Sequence, residues 1–334
     1  MPKSDTIGNI LNIIREHEVF LISSHINPDG DSISSQLAFY SFLSDLGKKA
    51  YILNSDPMPS HYRFLPYADA IQTELDDQSK LNNVEVAIIL DCGNMDRIGD
   101  KILGMIRPEW TIINIDHHSS NDYFGKYNFV NVKASATSEI VFSFVKNSDL
   151  EIGYDRAVCL YTGIVMDTGC FKFANTNAEA HRIVAQLIEE GVKPERISEM
   201  VYDIIPYRKA KLFGKVLETL QLSHNGKIAY VSITNKMYKQ TKSEVADTEG
   251  FIDYVRSLDG IEVALLFRET DNSDIKVSLR SKNRDQNRQP INVDQVAKEF
   301  NGGGHQAAAG CVISEPLDKA IDLILQRVHK ALDQ

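Results

Sequence analysis

Three short apolar runs in the first half of the chain each end beside a histidine or an aspartate. The runs cover residues 19–23, 85–91 and 111–116. They close at His25, Asp91 and Asp116, and amphipathic segments with helical spacing lie between them. This alternation is typical of a largely parallel sheet flanked by helices. Because ligands bind outside the carboxyl ends of parallel strands, we expect one crevice to collect these polar residues.

The second half of the chain predicts a smaller domain. From Ile228 onward, β-like runs are interleaved with helical segments, and a long helix is predicted over 317–332. This pattern favours a C-terminal α/β domain with a mixed sheet. We therefore predict an α/β fold with an N-terminal domain over residues 1–215, which includes a helical connector near its end, and a C-terminal domain over residues 216–334.

Composition excludes several classes of function. The 334 residues carry a formal net charge of −10, with 43% hydrophobic and 25% charged residues, as in a soluble globular protein. The acidic balance argues against binding along a long nucleic acid, which requires many phosphate contacts from lysine and arginine. The longest apolar run is too short to cross a membrane, and the N-terminus does not resemble a signal peptide. We therefore expect a cytoplasmic protein without a membrane partner.

The segment 25–31 reads His-Ile-Asn-Pro-Asp-Gly-Asp and leads into a predicted helix. One residue separates Asp29 from Asp31, and the turn would aim both carboxylates into one cavity with the ring of His25. Hard or borderline divalent metals bind such mixtures of nitrogen and oxygen ligands. The alternative is that Asp31 and Ser32 cap the helix, which accounts for only one of the two acids.

Asp116, His117 and His118 are adjacent at the end of a predicted strand. Both rings carry polar nitrogens that need partners, so the two cannot both point into an apolar core. We expect one ring to bind metal and the other to meet the substrate. Asp91 and Asp167 also end predicted elements; alone, each would be interpreted as a cap or turn residue, and the other ligands favour including them.

Carboxylates and imidazoles gathered at one crevice predict a pair of divalent metal ions. Hydrolysis of a phosphate ester requires a nucleophile at neutral pH and neutralisation of the phosphoryl oxygens. Two ions about 3.5–4 Å apart supply both, because they acidify a shared water and clamp the oxygens. Such a pair needs several carboxylates, at least one of which bridges. The sequence therefore predicts a two-metal hydrolase.

A glycine run in the C-terminal domain predicts an anion-binding loop. Gly302, Gly303 and Gly304, followed by His305, offer backbone N–H groups that no side chain obstructs. A flexible loop without a ligand has the same composition, so the run alone is weak support.

Basic residues precede this loop. Strand alternation places Arg280 on the face opposite the core, where its guanidinium could grip a phosphate bidentately. Lys282, Arg284 and Arg288 continue the basic character, and a solvated loop is the alternative interpretation of the last two.

The polar segments resemble, in order, the motifs of the DHH phosphoesterase superfamily. The matching segments are 25–31, 90–93 (Leu-Asp-Cys-Gly), 116–118 (Asp-His-His), 166–171 (Met-Asp-Thr-Gly-Cys-Phe) and 301–310 (Asn-Gly-Gly-Gly-His-Gln-Ala-Ala-Ala-Gly). The last of these resembles the signature of the DHH-associated C-terminal domain, and Arg280 with Ser281 precedes it at the expected distance. The resemblance spans essentially the whole chain.

Within the superfamily, the two-domain layout resembles the NrnA-type enzymes. That resemblance implies degradation of very short oligoribonucleotides to 5′-mononucleotides and removal of the 3′-phosphate from 3′-phosphoadenosine 5′-phosphate, through attack of a metal-held hydroxide on phosphorus. It implies two Mn²⁺ per active site, with Mg²⁺ or Co²⁺ as substitutes. The implied partners are short oligoribonucleotides and small phosphonucleotides, and a homodimer is left open.

The resemblance also implies roles for individual residues. One metal would be held by His25, Asp29 and Asp91, and the other by Asp31, Asp91, His117 and Asp167, with Asp91 as the bridge. His118 would face the substrate phosphate and assist the leaving oxygen, and Asp116 would orient the histidines. The substrate-binding residues would be Arg280, Ser281, Gly302, Gly303, Gly304 and His305, and their distance from the metals would favour short substrates.

Four other functions are alternatives. A soluble manganese pyrophosphatase shares the metal motifs but resembles a different C-terminal domain, without the Gly-Gly-Gly-His run at 302–305. Hydrolysis of a cyclic dinucleotide or its linear product would use the same metals and the same glycine loop. An exonuclease on long single strands would require a basic channel, which this acidic chain does not provide. A non-catalytic nucleotide-binding module could lose ligands without penalty, whereas every expected ligand is present here.

Overall fold

The computed structural model, which describes residues 5–270, 272–282 and 291–333, separates the chain into two units, Met1–Ile204 and Ile205–Gln334. The domain boundary predicted near residue 215 falls within a helix, Tyr207–Leu217, that packs in the core of the second unit. As a division between catalytic and substrate-binding parts, that boundary stays a prediction. Arg284 and Arg288 lie outside the described residues.

The first unit alternates strands and helices. Its strands are β1 (Val19–Ser23), β2 (Lys49–Leu53), β3 (Ile71–Gln72), β4 (Val86–Leu90), β5 (Thr111–Asp116) and β6 (Tyr127–Val130). Its helices are α1 (Ile7–Glu16), α2 (Gly30–Asp45), α3 (Asp100–Leu103), α4 (Thr137–Lys146), α5 (Tyr154–Asp167), α6 (Ala178–Glu189) and α7 (Pro194–Ser198).

The six strands form one parallel sheet in the order β3-β2-β1-β4-β5-β6. The predicted parallel sheet flanked by helices is thereby confirmed. From β1 the chain adds β2 and β3 towards one edge of the sheet, and from β4 it adds β5 and β6 towards the other edge. The strand order therefore reverses between β1 and β4. A crevice opens at such a switch point, outside the carboxyl ends of the two strands. His25 follows β1 and Asp91 follows β4, so both residues lie at this crevice.

Side-chain alternation along the central strands supplies cores on both faces of the sheet. Phe20 and Ile22 of β1 join one cluster of buried residues, to which α2, α4 and α5 contribute. Leu21 of β1 and Ile89 of β4 join a cluster on the other face. Both faces are covered, which explains why these strands read as continuous apolar runs.

The second unit also combines strands and helices. Its helices are α8 (Tyr207–Leu217), α9 (Asn235–Thr241), α10 (Phe251–Ser257), α11 (Val293–Lys298) and α12 (Leu317–Leu332). Its strands are β7 (Gln221–Ser223), β8 (Ile228–Ile233), β9 (Val263–Glu269), β10 (Ile275–Ser281), β11 (Gly303–His305) and β12 (Ala308–Ile313).

The second sheet has the order β11-β12-β10-β9-β8-β7. Strands β8 and β9 are parallel, and the other neighbouring pairs are antiparallel. The predicted mixed sheet is therefore confirmed. Among the described residues, no helix is long and apolar enough to span a membrane.

Candidate metal centre

Residues from five elements or their ends converge at the crevice between β1 and β4. Three overlapping groups of side chains place potential ligand atoms within 4.8 Å of one another. The groups are His25 with Asp29 and Asp91, Asp31 with His117 and Asp167, and Asp91 with His117 and His118. The structure thus brings together all six residues predicted as metal ligands, along with His118. Whether each of them binds metal stays a prediction.

The two aspartates of segment 25–31 make different contacts. Asp29 is the N-cap of α2, because its Oδ1 accepts a hydrogen bond of 3.0 Å from the backbone N–H of Ser32. The alternative that Asp31 caps the helix was therefore wrong. The loop backbone places Asp29 just before the first helical turn and Asp31 inside it, so only Asp29 can reach that N–H.

Asp31 is buried and accepts hydrogen bonds from the start of α4. Its Oδ2 accepts from the backbone N–H of Thr137, and its Oδ1 accepts from the N–H and the hydroxyl of Ser138, at 3.0 and 2.6 Å. Free N–H groups at a helix N-terminus favour a carboxylate. Helix α4 therefore fixes the orientation of Asp31 within the crevice.

Asp91 lies at the centre of the cluster. Its Oδ2 is 3.7 Å from Nε2 of His25, and its Oδ1 is 3.6 Å from Nε2 of His117. The residue is only 2% exposed and has a φ of 55°, in the left-handed region that non-glycine residues rarely adopt. Backbone strain of this kind concentrates at functional sites, where the surrounding structure holds it in place.

Backbone carbonyl groups orient two of the three imidazoles. Nδ1 of His25 lies 2.7 Å from the carbonyl oxygen of Ile26, and Nδ1 of His117 lies 3.3 Å from that of Ala134. If each Nδ1 carries the proton and donates it to its carbonyl, each Nε2 keeps a lone pair. Those Nε2 atoms face the carboxylates of the cluster, which is the arrangement expected of metal-binding histidines.

His118 has a carboxylate partner instead. Its Nδ1 donates to Oδ1 of Asp116 at 2.7 Å, while Oδ2 of Asp116 accepts from the side-chain amide of Asn121 at 2.6 Å. This hydrogen bond outweighs the effect of burial and raises the pKa of His118 to about 9. Of the two histidines that Asp116 was predicted to orient, it contacts His118.

The carboxylates of the cluster repel one another. Burial, together with the charges of Asp91 and Asp167, raises the pKa of Asp31 well above its ordinary value. Burial raises the pKa of Asp167 to about 6. Burial acts in the same direction on Asp91, but the neighbouring imidazoles outweigh it and lower the pKa of Asp91 to about 2.

This donor set fits divalent metal ions. Among the described residues, the ion pairs of these aspartates are with histidines, and none is with lysine or arginine. Buried carboxylates are costly unless they are paired or coordinate metals. Carboxylate oxygens mixed with imidazole nitrogens suit hard or borderline divalent metals.

Four polar residues of the site were missed by sequence reasoning. They are Asn121, Thr137, Ser138 and Asn175. Thr137 donates its hydroxyl to Oδ1 of Asp91 at 2.9 Å, and Asn175 donates its amide to Oδ2 of Asp167 at 3.2 Å. The small polar residues over 135–139 are a typical helix start and could have indicated α4. No local signal identifies the two asparagines, because their partners are distant in sequence or on an adjoining loop.

In the second unit, β10 places Arg280 as predicted by strand alternation. Val277 and Leu279 are buried, while Lys276, Ser278 and Arg280 are at least partly exposed. Ser281 is buried, and its hydroxyl donates to the carbonyl oxygen of Ile291 at 2.7 Å. Its hydrogen therefore already has an acceptor within this unit.

The glycine run differs from the expected open loop. Gly303–His305 forms β11, which pairs with β12, and His305 is exposed. The N–H of Gly302 donates to the carbonyl oxygen of Ala297, and that of Gly304 donates to Oδ1 of Asp294, each at 2.9 Å. These two N–H groups therefore do not form the predicted anion cradle.

Close packing accounts for glycine at two of these positions. A Cβ atom on Gly302 would lie 2.2 Å from the carbonyl oxygen of Gly310, and one on Gly304 would lie 2.4 Å from that of Ala308. Any side chain at either position would displace β11 from β12.

Two family models match the chain. Residues 19–164 match the DHH family, N-terminal domain, and residues 225–334 match the DHHA1 domain. The first match ends within α5, just before Asp167, and includes the other predicted metal ligands.

Curated relatives match along most of their length. The bifunctional oligoribonuclease and PAP phosphatase NrnA of Thermus thermophilus is 32% identical over 93% of this chain and 89% of its own. The protein of the same name from Bacillus subtilis is 26% identical over 91% of this chain and 92% of its own. A crystal structure of an exopolyphosphatase-related protein from Bacteroides fragilis superposes with a TM-score of 0.87, at 27% identity, over 97% of this chain and 95% of that one.

Proposed function

The chain belongs to the DHH family and is a hydrolytic enzyme, and from this premise we propose that it degrades very short oligoribonucleotides to 5′-mononucleotides and removes the 3′-phosphate from 3′-phosphoadenosine 5′-phosphate. The observation that carries the proposal is the partly buried cluster around Asp91, in which four aspartates and three histidines meet. Relatives named for both activities align along almost the entire chain.

We assign the ligands to two Mn²⁺ ions. His25, Asp29 and Asp91 would hold one, and Asp31, Asp91, His117 and Asp167 the other. When bound, such ions supply an acidified water and neutralise charge on the phosphoryl oxygens. The chain itself contributes the orientation of the ligands: carbonyl groups fix His25 and His117, and the start of α4 fixes Asp31.

His118 is proposed to act on the substrate. Asp116 holds Nδ1 of His118, which leaves Nε2 as the nitrogen that can contact a phosphate or the departing 3′-oxygen. A proton donated from Nε2 would neutralise that oxygen as the bond to phosphorus breaks. Asp116 is fully buried and tied to Asn121, so it keeps the ring in one orientation through the reaction.

Arg280 is proposed to bind a substrate phosphate. No carboxylate among the described residues forms an ion pair with it, and its only hydrogen bond there is from Nη1 to the carbonyl oxygen of Leu279, at 3.1 Å. A partly exposed guanidinium on a strand is suited to bidentate binding of phosphate. Within this proposal, the predicted division near residue 215 separates metal-dependent chemistry from substrate binding.

The proposal is tested by a time course with Mn²⁺ on four substrates. These are a 5′-labelled RNA trinucleotide, 3′-phosphoadenosine 5′-phosphate, linear diadenylate and cyclic diadenylate. We expect conversion of the trinucleotide to mononucleotides and release of phosphate from the second substrate. Cleavage confined to the two diadenylates would replace the proposal with second-messenger turnover. Absence of hydrolysis on all four would refute it.

A further inference from the structure

The loop that follows α5 has an unusual backbone. Gly169, Cys170 and Phe171 have φ values of 55°, 58° and 63°, so three consecutive residues are in the left-handed region. Two of them are not glycine, and such conformations persist only where the surrounding structure enforces them. The N–H of Cys170 donates to the carbonyl oxygen of Val165 at 2.7 Å, and that of Phe173 to the carbonyl oxygen of Thr168 at 3.0 Å. The loop is thus a fixed reversal of the chain at the end of a helix.

This reversal presses the ring of Phe173 against Gly169. A Cβ atom on Gly169 would lie 2.4 to 2.6 Å from three ring carbons of Phe173. The side chain of Phe173 is nevertheless 53% exposed. One side of the ring therefore rests on glycine backbone, and much of the rest is accessible. The other aromatic residue of the loop, Phe171, already stacks on His181 with ring centroids 4.9 Å apart.

The loop is tied directly to the metal centre. The side-chain amide of Asn175 donates to the backbone oxygen of Asp167 at 3.0 Å, to its Oδ2 at 3.2 Å, and to the carbonyl oxygen of Ser135 at 2.9 Å. Gly169 is two residues from Asp167, so their α-carbons are at most about 7.6 Å apart. The Phe173 ring, which packs against Gly169, therefore lies close to a predicted metal ligand.

We propose that the exposed ring of Phe173 is a nucleobase-stacking site for the nucleotide whose phosphate is hydrolysed. The inference rests on the proposed function and adds a base-binding residue to it. A single exposed aromatic residue is ordinary on protein surfaces. This one packs against the backbone of Gly169, beside the predicted metal ligand Asp167, in an enzyme whose proposed substrate carries bases. Stacking on an aromatic ring tolerates every base, because each base has a π-face.

The test compares substrates with and without bases. Three variants are made, Phe173→Ala, Phe173→Leu and Phe173→Trp, and each is assayed on a 5′-phosphorylated diadenylate and on two analogues that lack the base at one position. We expect Phe173→Ala and Phe173→Leu to raise the KM for diadenylate roughly 5- to 150-fold, with kcat nearly unchanged. Phe173→Trp should keep the wild-type KM. The analogue that lacks the stacked base should give the same KM with all four proteins.

Leucine separates stacking from a structural role. It still covers Gly169 with apolar surface, so a merely structural ring would let Phe173→Leu behave like the wild type, and that result would overturn the inference. An equal rise in KM on diadenylate and on both analogues would overturn it as well. Tyr154→Ala is the matched control, since Tyr154 is 50% exposed and begins α5, the helix that ends at Asp167.

Failure of the inference is distinguishable from failure of the proposed function. A wild-type protein that hydrolyses diadenylate while all Phe173 variants keep its KM refutes base stacking alone. A wild-type protein that hydrolyses none of the RNA substrates refutes both. Thermal unfolding of each variant with and without Mn²⁺ verifies that the variant folds and is still stabilised by the ion.

Discussion

Asp31 in the first unit and Asp247 in the second are both buried aspartates, but their surroundings act on them in opposite directions. Asp247 accepts hydrogen bonds from Nε of Arg208 at 2.7 Å and from the N–H of Glu244 at 2.8 Å. These contacts outweigh burial and lower its pKa. Asp31 lies among other carboxylates, and its pKa is raised.

The difference indicates where the chain is suited to bind a cation from outside. In the second unit the sequence supplies its own positive charge for the buried acid. Among the described residues of the first unit, the acids of the cluster form ion pairs with histidines and with no lysine or arginine, and an uncompensated buried charge is costly. The same reasoning applies in reverse to Arg280, which has no carboxylate partner among the described residues and is suited to an external anion.

The largest effect should follow from removing the central acid. Asp91→Asn withdraws a ligand proposed for both metals, so we expect kcat on a short RNA to fall by about a thousandfold or more. Asp76→Asn, which alters an exposed aspartate of the same unit, is the control and should keep full activity. Wild-type rates in the Asp91→Asn protein would contradict the proposal that the acids of the first unit hold the metals.

Addition of Mn²⁺ should stabilise the folded protein. At a hundred to a thousand times the dissociation constant, we expect the Tm to rise by roughly 5–10 °C. Binding should tighten as pH rises from 5 to 7.5, because Asp167, with its pKa near 6, must lose its proton to bind metal. Calorimetry in two buffers of different ionisation enthalpy measures this proton release. Proton uptake would contradict the assignment.

Removal of Arg280, which has no carboxylate partner among the described residues, should weaken substrate binding. Arg280→Ala eliminates a charge-assisted hydrogen bond, so kcat/KM on a trinucleotide should fall by about 10- to 100-fold, mainly through KM. Lys276→Ala is the matched control, because Lys276 lies on the same face of β10. If both variants lost the same modest activity, a general electrostatic effect would explain Arg280 equally well.

The smallest expected effect is a change in stability when a buried aspartate is replaced by asparagine, and this change should have opposite signs in the two units. The pKa of Asp167 is raised to about 6. The stability that this residue contributes is therefore present below the ordinary pKa of an aspartate and is lost as the pH rises through about 6. In metal-free protein at pH 7.5, Asp167→Asn should therefore increase the free energy of unfolding, on the order of 1 kcal/mol. The pKa of Asp247 is lowered, so its ion pair stabilises the fold above its ordinary pKa and Asp247→Asn should lower the Tm. Chemical and thermal unfolding with a chelator measure both changes. If both substitutions changed stability in the same direction, the proposed difference between the two units would be wrong.

Much of the fold follows from local patterns in the sequence. Strands β1, β4 and β5 were predicted from apolar runs that end in polar residues, and Asp167 was predicted to end an element, as it ends α5. Parallel pairing of such strands then gathers His25, Asp91 and Asp116 at one edge.

What the sequence did not reveal depends on long-range contacts. Thr137 and Ser138 reach Asp31 across more than a hundred residues, so no local pattern connects them. The glycine run predicted an anion loop because glycine permits many conformations. In the fold, Gly302 and Gly304 instead allow β11 to approach β12, a requirement that only the packed sheet defines.

One carboxylate oxygen of Asp29 contacts the helix and the other faces the crevice, so the first turn of α2 should respond to metal binding. Its Oδ1 accepts from the N–H of Ser32, while its Oδ2 lies 3.7 Å from Nε2 of His25. Any ion that draws on this carboxylate must change the electron density offered to the Ser32 proton. The amide resonance of Ser32 should therefore shift with metal occupancy, and it would read the state of the centre from a residue that binds no ion itself.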